Sequence, residues 1–187
     1  MIDTIRQAIT RVGPDQKSEY AATGEVPVTE ALLYPGAQYW LVWGTQDGVA
    51  PVGQDSAPVQ KPFFPGPGGT RFIVVRFAPN MAAGSGAGTP SEEEFAEMRR
   101  DAEDKFPGLF DAHATDPAKG AFHATDTVDY AFVVEGELTL ELDNGITEQL
   151  VPGSCVVQRG TRHAWHNSSD QSALVVFVMV GARRVAG

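Results

Sequence analysis

With a single cysteine in 187 residues, Cys155, the chain can form no internal disulfide and build no cysteine-based zinc cluster. Positive charge is also scarce: 24 acidic residues outnumber 14 basic ones, a formal net charge of −10. A field of that sign repels nucleic-acid phosphates and anionic lipid surfaces, so neither nucleic acid nor membrane is an expected partner. No run approaches the roughly 18 consecutive apolar residues of a membrane span, and the first ten residues lack the apolar core of a signal peptide. The expected location is cytoplasmic. Repeats are missing as well, since the four residues from His113 to Asp116 recur only once, from His123 to Asp126.

What is present is enough for one folded domain. The length lies within the roughly 100 to 200 residues of a single domain, and 42% hydrophobic against 20% charged residues supplies a core. The whole chain, 1–187, is read as one domain. It comprises an N-terminal arm and strands over 1–80, a helical insertion over 81–120, and a β core over 121–181.

The first dozen residues read either as a short amphipathic helix with Ile2, Ile5 and Ile9 on one face or as an arm that contacts a second subunit. Residues 30–43 predict two short strands around Pro35-Gly36, and 44–70 a loop. Phe63 and Phe64 in that loop either pin it to the core or line a pocket mouth. Thr70 to Phe77 predicts a strand and 81–89 a Gly/Ala-rich loop.

The one helix signal covers about 91–106. Ser91 and Glu94 form a capping box, Phe95, Met98, Ala102 and Phe106 follow at helical spacing, and Pro107-Gly108 ends the run. Such an insertion is a buttress or a lid. From Phe122 onward short apolar runs alternate with turns, among them the hairpin signal Asp143-Asn144-Gly145. Strands are predicted at 130–134, 137–142, 146–151, 154–158, 163–167 and 173–180, which makes a sandwich or barrel.

The candidate chemistry rests on four histidines: His113, His123, His163 and His166. His123 starts one strand and His163 opens another, and the meander between them returns the chain to the same end of the sheet. Two imidazoles with a nearby carboxylate suit a divalent metal with open positions. Within one strand His163 and Trp165 share a face and His166 takes the other, so His166 reads as surface or interface. His113 falls in a polar loop after the helix. Asp129 either caps a turn or faces the pocket, with Asp126 as the alternative carboxylate. Tyr130 should point the other way, into core. Arg71 and Arg76 take opposite faces of one strand, each exposed or paired, or holding a substrate carboxylate or enolate. Trp165 reads as pocket wall or core, and Cys155 as a small packed apolar group.

The run containing His123, Thr125, Asp129 and Gly136 resembles the first motif of the cupin superfamily, whose pattern is His-x-His followed by glutamate and glycine. The run from Pro152-Gly153 through Gly160, His163 and Asn167 resembles the second. The likeness is greatest to small bacterial and fungal cupins with His-x-Thr-x-Thr-x-Asp-Tyr and Arg-Gly-Thr-x-His-Ala-Trp. The resemblance implies an all-β jelly-roll β-sandwich, the cupin barrel, that pairs as a homodimer. It places His123 and His163 at the first and last metal-binding histidines, Asp129 at the glutamate, and Thr125 where a second histidine would stand. His123, Asp129 and His163 are then both the catalytic and the metal-binding candidates, for one ion of iron, zinc, nickel or manganese. The alternative is an ion-free pocket whose histidines act as acid–base groups.

The function that follows is a metal-assisted lyase or isomerase, performing decarboxylation, dehydration or enolisation on an organic acid, ketone or polyketide-like substrate. An iron(II)-dependent dioxygenase and a non-catalytic small-ligand binder are the two alternatives.

Overall fold

The structure is a computed structural model and describes residues 2–53, 57–81, 91–113 and 122–185. Most of the Gly/Ala-rich stretch expected at 81–89 and the end of the insertion expected at 81–120 lie outside those residues.

β-branched and aromatic residues alternating with small or polar ones dictate strands. The chain has β1 (Arg6–Val12), β2 (Ser18–Glu25), β3 (Val28–Thr29), β4 (Gln38–Thr45) and β5 (Thr70–Phe77). After the helices α1 (Glu92–Lys105) and α2 (Leu109–His113) come β6 (Thr127–Glu135), β7 (Leu138–Leu142), β8 (Thr147–Leu150), β9 (Cys155–Arg159), β10 (His163–His166) and β11 (Ala173–Gly181). One sheet runs β3-β4-β5-β11-β6-β9, a second β10-β7-β8, and β1 and β2 form a ribbon of their own. Every pairing is antiparallel.

The larger sheet contributes Ile73, Val75, Ala131, Val133 and Val175 to the same buried cluster that receives Leu138, Leu140, Leu150 and Trp165 from the smaller one. Two sheets sharing one interior make the jelly-roll β-sandwich expected from the sequence.

Local chemistry accounts for the connections. Asn144 and Gly145 adopt φ of 63° and 70°, the left-handed geometry that a tight β7–β8 turn requires. Ser91 caps α1 and its capping box with Glu94 is complete. The end of the helix packs inward: Phe106 is fully buried, its ring 4.6 Å from Tyr39 and 5.5 Å from Phe63. This end of the helix is a buttress. Residues 65–69 lie directly across the end of β11, where Gly68 N–H donates to the Gly181 carbonyl at 2.9 Å. A Cβ at Gly181 would stand 1.8 Å from the Gly66 carbonyl oxygen, so only glycine allows that approach.

Several expectations are corrected. Residues 6–12 are a strand, not a helix: Thr10 and Val12 join Ile9 as β-branched residues, and a turn at Gly13–Lys17 offers β2 as a partner. Of residues 30–43, only those from Gln38 are strand, with Tyr34 and Ala37 closing turns before it. His113 ends a short helix rather than lying in a loop. Tyr130 does turn away from the interior but is 52% exposed, because no described residue covers that stretch of the outer face of β6. Cys155 is exposed for the same reason, on the neighbouring strand β9.

Candidate active site

Two short backbone bonds set the site. His123 N–H donates to the His163 carbonyl at 3.0 Å and His163 N–H to that of His123 at 2.9 Å, an isolated bridge between the lead-in to β6 and the start of β10. The bridge brings the imidazole centroids to 4.4 Å. His123 is half-buried, with the Phe64 ring 6.4 Å away. Of the two loop phenylalanines, Phe63 therefore pins the core and Phe64 borders the histidines.

His163 is 3% exposed, and its Nδ1 lies 2.9 Å from the Thr161 carbonyl oxygen. A carbonyl only accepts, so Nδ1 carries the proton and Nε2 keeps its lone pair. Burial, reinforced by the neighbouring His123, pushes the His163 pKa down to about 4. The ring is neutral at neutral pH.

Asp129 sits on the inner face of β6, 8% exposed. Burial pushes its carboxyl up to about 6, against a hydrogen bond from Thr127 that pulls it down. Because the Thr127 hydroxyl donates to that carboxylate, the Thr125 hydroxyl donates to Thr127, at 2.7 Å. Where the family pattern has a second histidine, this chain thus has the first member of a hydroxyl relay that ends on Asp129.

Strand register extends the site sideways. Gly44, Arg71, Met179, Asp129 and Gln158 stand opposite one another across β4, β5, β11, β6 and β9, a mostly polar row on the interior face. Gln158 is 5% exposed and its Oε1 accepts the Thr161 hydroxyl at 2.6 Å, which leads through Thr161 back to His163. Among the described residues, Asp129 Oδ1 and Gln158 Nε2 are buried with no hydrogen-bond partner. Sequence reading missed Gln158. The available signal was a polar side chain two residues after the inward-facing Val156.

The other candidates have structural partners. Asp126 is exposed and bound to Arg184 at 2.7 Å. Arg71 is buried, donating to the Pro62, Thr45 and Thr70 carbonyls. Arg76 donates to Ser172 Oγ and the Ile2 carbonyl and lies over Trp40. His166 contacts Glu141 at 2.8 Å. Trp165 is core, against Phe77 and Phe177. The side chain of His113 lies outside the description. Two surface clefts near Glu137 and Ser169 are lined by none of His123, Asp129 or His163.

Among the described residues no group of three or more His, Cys, Asp or Glu side chains is placed to hold a metal ion. As they stand, the donors do not make up a three-ligand metal centre, and the site is treated below through its own acids, bases and hydrogen bonds.

Residues 113–180 match a family model described as a cupin domain. The oryzines biosynthesis cluster protein J of Aspergillus oryzae is 42% identical over 65 residues, 34% of this chain and 36% of that protein. The cupin-domain-containing oxidoreductase virC of Hypocrea virens is 38% identical over 52 residues, 28% of this chain and 27% of that one. The match thus spans about a third of each curated relative or less. Among solved structures, the polyketide cyclase RemF of Streptomyces resistomycificus aligns with 82% of this chain and 72% of its own at 16% identity, with a TM-score of 0.43. No helix among the described residues is long and apolar enough to cross a membrane.

Proposed function

Because residues 113–180 match a cupin-domain model, we propose that the chain is a cupin-type small-molecule lyase or isomerase working by acid–base chemistry. Its substrates are organic acids, ketones or polyketide-like compounds. Asp129 carries this reading. It is a buried carboxyl pushed up to about 6, with one oxygen unpartnered among the described residues. A group titrating there can both take and return a proton at neutral pH.

In the step that follows, the Asp129 carboxylate removes a proton from the carbon next to a substrate carbonyl. The C–H electron pair becomes a C=C bond, and the carbonyl oxygen takes the negative charge. Isomerisation returns the proton to carbon; dehydration delivers it to a departing hydroxide as water. Neutral His163, with Nε2 free to accept, orients a substrate hydroxyl, and Phe64 and His123 supply an aromatic wall. No step runs through a metal ion. Elemental analysis of protein purified without added metal decides whether the imidazole pair carries iron, zinc, nickel or manganese.

The test is exchange of α-protons for deuterium in D2O, followed by NMR across a panel of small ketones and keto acids. The wild type should accelerate exchange, at a rate that rises with pH through about 6 as Asp129 ionises. Asp129→Asn should lose about 10²- to 10⁴-fold. Equal rates in the two proteins would sink the reading, and tight binding without any exchange would point to a ligand-binding protein instead. Two fungal relatives are named oxidoreductases, which favours an iron-dependent dioxygenase as the second reading. Bound iron together with oxygen uptake on an aromatic substrate would select it.

A further inference from the structure

Resting on the acid–base reading, we propose that Gln158 is the catalytic residue that binds the developing enolate oxygen, and that the site takes neutral ketones in preference to keto acids. The geometry comes from register. Asp129 and Gln158 stand directly opposite on β6 and β9, the position at which antiparallel neighbours bring their Cβ atoms to about 4.5–5.5 Å. Both are more than nine-tenths buried, and the unpartnered atoms are complementary: an acceptor on Asp129, a donor on Gln158. Thr161 donates to Gln158 Oε1, which leaves Nε2 as the free end of the amide.

A carbonyl oxygen and the hydrogen on the adjacent carbon present the matching pair. The oxygen accepts from Nε2 while the C–H faces Asp129 Oδ1. As the proton leaves, charge builds on the oxygen that Gln158 already touches, and a fixed donor at that point lowers the barrier.

The same row decides the charge of the substrate. A second carboxylate would lie beside Asp129 in a buried setting, where like charges repel strongly. The cation of the row, Arg71, is directed to three backbone carbonyls, and the Met179 side chain stands between it and Asp129. A neutral ketone avoids the repulsion. Met179, unbranched and flexible, is the member of the row that can move aside for it.

The probes are 2-pentanone and 4-oxopentanoate, the same methyl ketone without and with a carboxylate. Wild type should exchange the α-protons of 2-pentanone at least tenfold faster than those of 4-oxopentanoate. Gln158→Leu should lower kcat for 2-pentanone by about 10²- to 10³-fold with little change in KM, because the bond strengthens only as charge develops. Thermal melting of that variant should change little, since leucine removes a buried donor that has no partner, and the exposed Thr161 hydroxyl released from Oε1 can turn to water. Gln158→Glu, of the same shape, should be as slow as Gln158→Leu.

Preference for 4-oxopentanoate, or full exchange activity in either Gln158 variant, overturns the proposal. If Asp129→Asn is inactive while the Gln158 variants are fully active, the acid–base reading stands and the role of Gln158 alone falls. If wild type exchanges neither probe, both fall.

Discussion

Asp129 and His163 titrate away from their ordinary ranges in opposite directions, and the two displacements act on stability with opposite sign. His163 is held neutral at about 4 against an ordinary 6.5, so its folded form binds fewer protons than the unfolded chain. The stability this represents is complete above about 6.5 and lost as the pH falls towards 4. Asp129 is raised to about 6 from 3.8, so its burial penalises the fold above about 6, and that penalty fades as the pH falls towards 3.8. At ~1.4 kcal/mol per pH unit each effect reaches roughly 3 kcal/mol, and between about 4 and 6 they oppose one another. Asp129→Asn should therefore be more stable than wild type at pH 7.5, by up to about 3 kcal/mol. It should also lose stability between pH 6.5 and 4, where these two groups leave the wild type nearly level. Urea titrations across that range check it, and a variant as level as the wild type would contradict the displacement of His163. At this scale the sequence showed His123, Asp129 and His163 as candidates, because their residue types and spacing carry the pattern. It could not show Gln158, whose meaning depends on which strand lies beside β9. Nor could it show that Arg71 and Arg76 would both be buried on backbone carbonyls, since a charged residue in a strand signals neither its depth nor its partner.

Helix α1 divides its work unevenly along its length. The amino end is exposed and held by local chemistry, the capping box of Ser91 and Glu94, whereas the last turn is anchored by Ala102 and Phe106, both fully buried. Phe106→Ala should cost about 3–5 kcal/mol, the usual range for emptying a large aromatic site in a core. Phe95→Ala should cost far less, because Phe95 is 43% exposed and meets mainly Phe110 of α2 at 5.7 Å. Denaturant midpoints of the two variants give the comparison, and equal losses would mean the whole helix packs as one face. Elements ruled by neighbouring residues were legible in advance: this cap, the Asp143-Asn144-Gly145 turn and the strand Thr70–Phe77. The ribbon β1–β2 was not. Ile2, Ile5 and Ile9 have a helical period, and only pairing with Ser18–Glu25, a partner with no apolar alternation of its own, makes the segment a strand.

At the scale of the whole molecule, the described residues cover one face of the larger sheet only in part. Val26 and Ile5 pack on Trp40, Val42, Val74 and Leu174, but the adjoining row of Phe72, Val178, Tyr130 and Val157 is left largely open, with Phe132 beside it. An uncharged, exposed sheet surface of this kind suits isologous contact with a second copy. We expect a homodimer across it, dissociated to monomers by Tyr130→Lys combined with Phe132→Lys and measured by light scattering. A monomeric wild type would remove the expectation. The sheet order itself was out of reach of the sequence, because nothing local says that β11 lies between β5 and β6. That placement governs the timing of assembly. During synthesis the two halves of the large sheet emerge with their facing edges bare, and the strand that zips them together, Ala173–Gly181, is the last of the eleven described strands to leave the ribosome. Until then the Asp129 and Arg71 sides of the row belong to separate pieces, and the nascent protein has neither a closed interior nor a completed polar row.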